Sequence, residues 1–159
     1  PDGTDEQMLY MPALKRVNRI SGASRKGSFM GSDFSYEDMD LTPEEDATHE
    51  VVDTTDTHWV IDTNPGASSS YGRLRTTVLK GSYLVKESEF FDKDGVHVKT
   101  LKVTETSTTD GRTLAKVSIM QTHKRNTSTR LEVVRQQLDV APEELPDELF
   151  TKAYLEQGN

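Results

Sequence analysis

The chain has 159 residues, the size of one domain, and carries 27 acidic against 19 basic side chains for a net charge of -8. A field of that sign opposes non-specific binding to nucleic acid and to anionic lipid surfaces. Without cysteine there are no disulfides, thiolate metal sites or cysteine nucleophiles. The hydrophobic fraction of 33% predicts a thin core, which suits one twisted sheet with a polar outer face better than a compact bundle. No apolar stretch is long enough to span a membrane as a helix. The opening Pro-Asp-Gly lacks an initiator Met and a signal-peptide apolar region, so a processed protein or a fragment of a longer one is expected.

In chain order, "MLYMPALKRVNRI" (8–20) predicts one or two short strands broken at Pro12. "SGASRKGSFMGSDFSYEDM" (21–39) predicts a loop rich in small residues. The acidic connection "DLTPEEDA" holds Thr42, Pro43, Glu44 and Glu45, a pattern that can start one helical turn with proline at its first position. From residue 48 onward, Thr, Val, Tyr and Phe alternate with charged residues and turn signals recur. "THEVVDTTDTHWVID" gives two strands before the turn "NPG" (64–66). "YGRLRTTVL" and "SYLVKESEFF" flank Lys80-Gly81, "DKDG" (92–95) leads to "VHVKTLKVTE", and Asp110-Gly111 leads to "RTLAKVSIMQT". "HKRN" (123–126) leads to "TSTRLEVVRQQL". The prediction is mainly β, a meander of antiparallel hairpins over about residues 48–138. In "APEELPDELFTKAYLEQ" a short amphipathic helix is expected, with Leu149, Phe150, Tyr154 and Leu155 covering apolar surface.

A period of two assigns an inward face. It comprises Trp59 and Leu74, Val78 and Leu84, then Phe90, Leu101 and Val103, and finally Val117, Ile119, Leu131 and Val133. A one-residue slip would invert any strand. Trp59, the only tryptophan, is either core or the lining of a ligand cavity.

Catalytic and metal motifs do not fit. "GASRKGS" spaces two glycines as a Walker A loop does, but Ser28 rather than lysine follows Gly27. "DKDG" lacks the spacing of a calcium loop, so Asp92, Asp94 and Gly95 read as a hairpin turn. His49, His58, His97 and His123 fall on different strands or turns with no metal-ligand spacing, although a sheet can bring two together. There is no Gly-x-Ser-x-Gly elbow. Ser32, Asp33 and Ser35 make a triad only on paper, and Asp33, Glu37 and Asp38, which offer a candidate acid pair, read rather as a solvated strand end or loop. Glu44, Glu45 and Asp46 read as a solvated face. No catalytic residue, cofactor or metal is expected.

The segment "LYMPALKRVNRISGASRKGSFMGSDFSYEDM" (9–39) resembles the signature of the bacterial outer-membrane lipoprotein-sorting family, the proteins similar to LolA and LolB. Its elements are Tyr10-Met11-Pro12-Ala13, Arg16, Arg19-Ile20 and the run Gly27 to Asp38. "LPDELFTKAYLE" (145–156) is similar to the family's ending, and "SSYGRLRTTV" and "FFDKDGVHVKTL" to its central hairpins. The resemblance implies a half-open, strongly curved antiparallel barrel with short helical lid elements. It implies a periplasmic, non-enzymatic carrier of lipids or lipoprotein acyl chains, dealing with an envelope lipid exporter or an outer-membrane acceptor. The alternative is an interaction module of an envelope export system with a filled barrel. Phe29, Met30, Phe34 and Tyr36 then either contact a lipid chain or plug the barrel end.

Against that family, the chain reads as a single LolA-like domain over residues 1–159 without the N-terminal helix and first strands. A bare strand edge at Tyr10 to Ile20 is then a template for pairing with a second copy. A dimer or higher closed assembly is expected, since the net charge of -8 opposes open-ended aggregation. Light scattering at high concentration checks this: a monomer there means the edge is protected.

Overall fold

The computed structural model describes residues 7–40 and 45–157. The turn expected from Thr42 to Glu44 lies outside them. The chain forms two compact units, one built from residues up to Gly27 with those from Gln137, the other from Ser28–Gln136.

In the first unit, β1 (Gln7–Met11) pairs antiparallel with β2 (Arg16–Ile20) in a two-stranded sheet. Pro12 starts a 3-10 turn, and Lys15 closes it in the left-handed region at φ 47°. The break at proline is thus the hairpin connection itself. The basic stretch Gly22–Lys26 is a 3-10 turn rather than a phosphate loop. At the other end of the sequence, 3-10 turns Pro142–Glu144 and Asp147–Phe150 precede α1 (Lys152–Glu156), whose N-cap Thr151 accepts a hydrogen bond from the Tyr154 amide. Packing of α1 is against β1 and β2. Leu155 and Tyr154 are half-buried, but Phe150 is 69% exposed, so the expected apolar face is only partly covered. No helix among the described residues is long and apolar enough to cross a membrane.

The second unit is a seven-stranded antiparallel meander: β3 (Thr48–Thr54), β4 (His58–Asn64), β5 (Tyr71–Leu79), β6 (Val85–Asp92), β7 (His97–Thr109), β8 (Arg112–Thr122) and β9 (Thr127–Glu132). Each strand pairs with the next, and the sheet is not closed, with β3 and β9 at its edges. The turn chemistry read from the sequence explains the connections. Asp110 and Gly111 both have positive φ, 49° and 73°, and Thr109 pairs with Arg112, the geometry of a two-residue type I′ hairpin. Asp92 Oδ1 accepts the amides of Asp94 and Val96 at 3.0 and 2.9 Å, so "DKDG" spends its first carboxylate on closing the turn. Asn64 does the same for the Gly66 amide at 3.1 Å, with Gly66 at φ 93°. The last strand ends at Glu132 rather than near 138.

Register shifts interrupt the ladders β3–β4, β5–β6, β6–β7 and β7–β8. Each extra residue bends its strand and adds twist, the route by which an open sheet curves. Gly72 is the extra residue between Tyr71 and Arg73. A Cβ there would lie 2.8 Å from the Asp92 carbonyl oxygen and 3.0 Å from Lys93 Cα. Gly72→Ala is therefore expected to cost about 1–3 kcal/mol through backbone displacement. Gly111→Ala, which meets nothing within 4 Å but stays at positive φ, should cost roughly 1–2 kcal/mol from conformation alone. Urea midpoints with an unchanged m-value measure both, and a neutral Gly72→Ala would show that the bulge tolerates a side chain.

Candidate functional site

Because paired residues share a side of a sheet, the register defines one apolar face row by row. Thr63, Leu74, Phe90, Lys99, Thr122 and Thr127 form the first row. Ile61, Thr76, Ser88, Leu101, Met120 and Thr129 form the second. Trp59, Val78 and Val85 continue it on one side, and Val103, Ser118 and Leu131 on the other. The hydroxyls of Thr76 and Ser88 lie 3.1 Å apart and satisfy each other in the middle of this face.

The first row is covered. Residues 28–39 fold into a compact plug: Ser28 bridges Ser35, the Ser32 amide bonds the Phe29 carbonyl at 2.9 Å, and Met30 and Gly31 between them have φ 52° and 77°. Two consecutive positive φ values make a type I′ turn, which is what the glycine in "FMGSDF" serves. Phe34 is 5% exposed and joins Tyr71, Phe90 and Met120 in the core, with Phe29, Leu74, Val98 and Leu101 packed around it. Tyr36 meets Phe29 edge to face at 5.4 Å. Met30 points away, 67% exposed.

Three carboxylates fasten the plug. Asp33 accepts the hydroxyls of Thr127 (2.5 Å) and Thr129 (2.9 Å) and the Arg125 guanidinium (3.1 Å), and its own amide donates to Thr129 Oγ1. Asp38, 1% exposed at its side chain, accepts Lys99 Nζ, the Tyr71 hydroxyl and the Ser35 amide, each at 2.7 Å. Glu37 accepts the Ser69 hydroxyl, and the Ser70 hydroxyl at 2.6 Å and its amide at 3.1 Å. Burial acts to raise the Asp33 carboxyl, but the hydroxyls of Thr127, Thr122 and Thr129 and the Arg125 guanidinium outweigh it and hold the pKa down to about 2. Burial, and then the Asp38 carboxylate, push the Tyr71 phenol above its ordinary range. These acids, read from the sequence as a solvated loop, are instead ligands of the fold, with the Asp33 and Asp38 carboxylates buried. Apart from the Ser35 amide, their partners sit 32 to 96 residues away, and no local pattern announces them.

Beyond the first row the apolar face is less covered. Val51, opposite Ile61, is 57% exposed, Val85 38%, and Leu131 40%. Of the residues assigned inward from sequence, Trp59, Leu74, Val78, Phe90, Leu101, Val103 and Leu131 share this face. Three assignments are corrected: Ile119, Val117 and Leu84. Ile119 lies across from Lys102 and Arg130 on the opposite face, and Val117, two residues back on β8, shares that side while being 1% exposed. The apolar inward residue of β8 is Met120, fully buried, between Ser118 and Thr122 on the same face. Leu84 sits in the β5–β6 turn, where its carbonyl accepts the Leu79 amide, and Val133 lies just past β9 at 40% exposure. Ile61 and Val85 belong to the face and were missed.

On the opposite face, Asp62 holds Arg75 through two bonds at 2.7 and 2.8 Å and Arg73 at 3.3 Å, and the hydrogen bond from Arg75 keeps its carboxyl below the ordinary value. Arg73 lies 4.0 Å above the Phe91 ring. The sheet also brings two histidines together: His97 and His123 Nε2 lie 3.0 and 2.9 Å from Thr100 Oγ1. Among the described residues no cluster of three or more His, Asp or Glu side chains could hold a metal ion.

A family model described as "Uncharacterized protein" matches residues 1–157. No curated protein matches. Among solved structures, a DUF1329 family protein from Desulfovibrio piger is 24% identical with a TM-score of 0.80, over 97% of this chain and 66% of that one. An outer membrane lipoprotein-sorting protein domain from Vibrio parahaemolyticus is 31% identical with a TM-score of 0.77, over 97% and 67%. A LolA superfamily protein from Nitrosomonas europaea, 18% identical, superposes with a TM-score of 0.69 over 94% and 67%. The chain spans about two thirds of the length of each.

The plug's bonds set a pH response. A carboxyl whose folded pKa is depressed adds stability above its ordinary pKa of 3.8 and loses it as pH falls toward about 2. Urea unfolding from pH 7 to pH 2 should show this acid loss, and Asp33→Asn should flatten it. Lys99→Met, which leaves the Asp38 carboxylate buried without its cation, should cost about 3–5 kcal/mol at pH 7. A loss under about 1 kcal/mol would mean that water reaches Asp38.

Proposed function

The chain belongs to the outer-membrane lipoprotein-sorting family with the LolA-like fold, and from that premise we propose that it is a non-enzymatic periplasmic carrier of lipids or lipoprotein acyl chains. The observation that carries the reading is the apolar face of the open sheet, filled by its own side chains at the Phe34 end but continuing through Ile61, Trp59, Val78 and Val85 with exposed apolar surface. Each CH₂ of an acyl chain exposed to water costs about 0.8 kcal/mol. A carrier therefore needs a concave apolar surface and no catalytic group. Ile61, Trp59, Val78, Leu101 and Val103 would floor the site, with the plug setting how far a chain can enter. In this proposal the chain is the larger portion of one LolA-like domain. Its cargo passes between an envelope exporter and an outer-membrane acceptor, and copies pair through the β1–β2 segment.

A second reading, an interaction module with a filled barrel, is favoured by Phe34 and Phe29, which occupy part of the face. Native mass spectrometry before and after solvent extraction separates the two. A carrier yields bound lipid and rebinds a fluorescent fatty acid. Val78→Glu should weaken rebinding about tenfold or more, from the roughly 1.5–3 kcal/mol that an apolar side chain contributes when buried. Thr77→Glu, one residue away on the opposite face, should leave it unchanged. A protein that is lipid-free as purified and takes up none supports the module.

A further inference from the structure

The turn between β5 and β6 places two side chains, Tyr83 and Lys80, against Trp59 of β4 at the end of the apolar face opposite the plug. Tyr83 adopts φ 56°, a left-handed conformation that an aromatic residue rarely takes, and it is 73% exposed. Its ring nevertheless stacks on Trp59 at 5.9 Å and 20°. Lys80 Nζ stands 5.2 Å from the centre of the same indole. The Lys80 ammonium has no carboxylate partner among the described residues. Its backbone amide is tied to the Thr57 carbonyl at 2.8 Å, which fixes the turn beside the start of β4.

Strained backbone persists where the surroundings hold it, and it gathers at ligand clamps. The backbone of Tyr83 is held by the hydrogen bond of its amide to the Leu79 carbonyl at 2.9 Å, so its ring can turn away without moving the chain. Since that ring is largely exposed, lifting it gives up little more than the stack on Trp59. Beneath it lies Trp59, the half-buried end of an apolar stripe that runs through Val78 and Ile61 toward the core. The overall charge of -8 repels anions, but that repulsion is screened beyond about 8–10 Å. At the stripe's end the Lys80 ammonium stands 5.2 Å from the centre of the indole.

We infer that Trp59, Tyr83 and Lys80 form the headgroup end of the lipid site. An acyl chain displaces the Tyr83 ring from Trp59, and Lys80 pairs with the phosphate of an anionic lipid headgroup. This rests on the carrier reading and adds to it a direction of entry, a displaceable cover and a preference for net-negative headgroups.

Trp59 is the only tryptophan, so its fluorescence reports this site alone. The probes are lysophosphatidylglycerol and zwitterionic lysophosphatidylcholine, both below their micelle concentrations, with native mass spectrometry counting bound lipid in parallel. The expected result is a blue shift of Trp59 emission that saturates with one lipid bound. Tyr83→Ala should tighten binding of both lipids three- to tenfold. Lys80→Gln should weaken lysophosphatidylglycerol severalfold while leaving lysophosphatidylcholine unchanged. Inorganic phosphate alone should not shift the emission, and a shift with it would show a simple anion site instead. Lipid bound by mass, with silent Trp59 emission and unchanged affinities in both variants, would overturn the inference and leave the carrier reading standing. No bound lipid of either kind would overturn both.

Discussion

The Asp38 carboxylate is the contact on which the rest of the second unit depends. It is buried, and it draws together a cation from β7, a phenol from β5 and an amide from the plug, all at 2.7 Å. Burying a charge is expensive unless its oxygens are matched, and here the cation and two further donors match them. Removing the Lys99 ammonium would leave that buried carboxylate without its cation. The pair therefore fixes where Phe34 lies, and Phe34 fixes which end of the apolar face is closed.

That closure explains how a chain with a small hydrophobic fraction holds a sheet whose apolar face is only half covered. Phe34, Tyr71, Phe90 and Met120 form a compact core at one end, and burial of such side chains is worth about 1.5–3 kcal/mol each. Carboxylate bonds replace the apolar area that a larger core would supply, by fastening the plug to β9, to the β5 approach and to β7. The remaining rows carry the exposed Val85 and Leu131. A stable core and an available apolar surface thus sit on one face of one sheet, separated by about four residues along the strand, roughly 13 Å.

Curvature comes from the same economy of means. Bulges at Tyr71/Arg73, Phe90/Phe91 and Val103/Glu105 bend successive strands of a sheet that never closes. The exposed edge β3 carries its own bulge at Val51/Asp53 and the charged Glu50 and Asp53, features that discourage further strand pairing.

Much of this was legible in the sequence, because turns are local. Asp110-Gly111, Asn64-Pro65-Gly66 and Asp92 with Gly95 act through the φ of one residue or a bond to a neighbouring amide, so they announced every hairpin they close. Strand identity followed from alternation, and so did most of the inward face. The β8 assignment failed where alternation is ambiguous: Val117, Ile119 and Met120 are apolar on both parities, and only pairing with Leu101 and Thr129 turns Met120 inward. Leu84 was assigned inward as part of an alternating run, but the left-handed Tyr83 ends that run in a turn. The acids of the plug were misread for a deeper reason. A carboxylate in a loop is solvated unless donors from distant strands surround it, and those donors (Thr127, Thr129, Lys99, Tyr71, Ser69) meet it only once the sheet has formed. The sequence by itself determined the strands, their order and their turns, since these depend on neighbours along the chain. The buried carboxylates, the plugged end and the exposed aromatic end were decided only by tertiary structure, because burial depends on what the rest of the chain brings near.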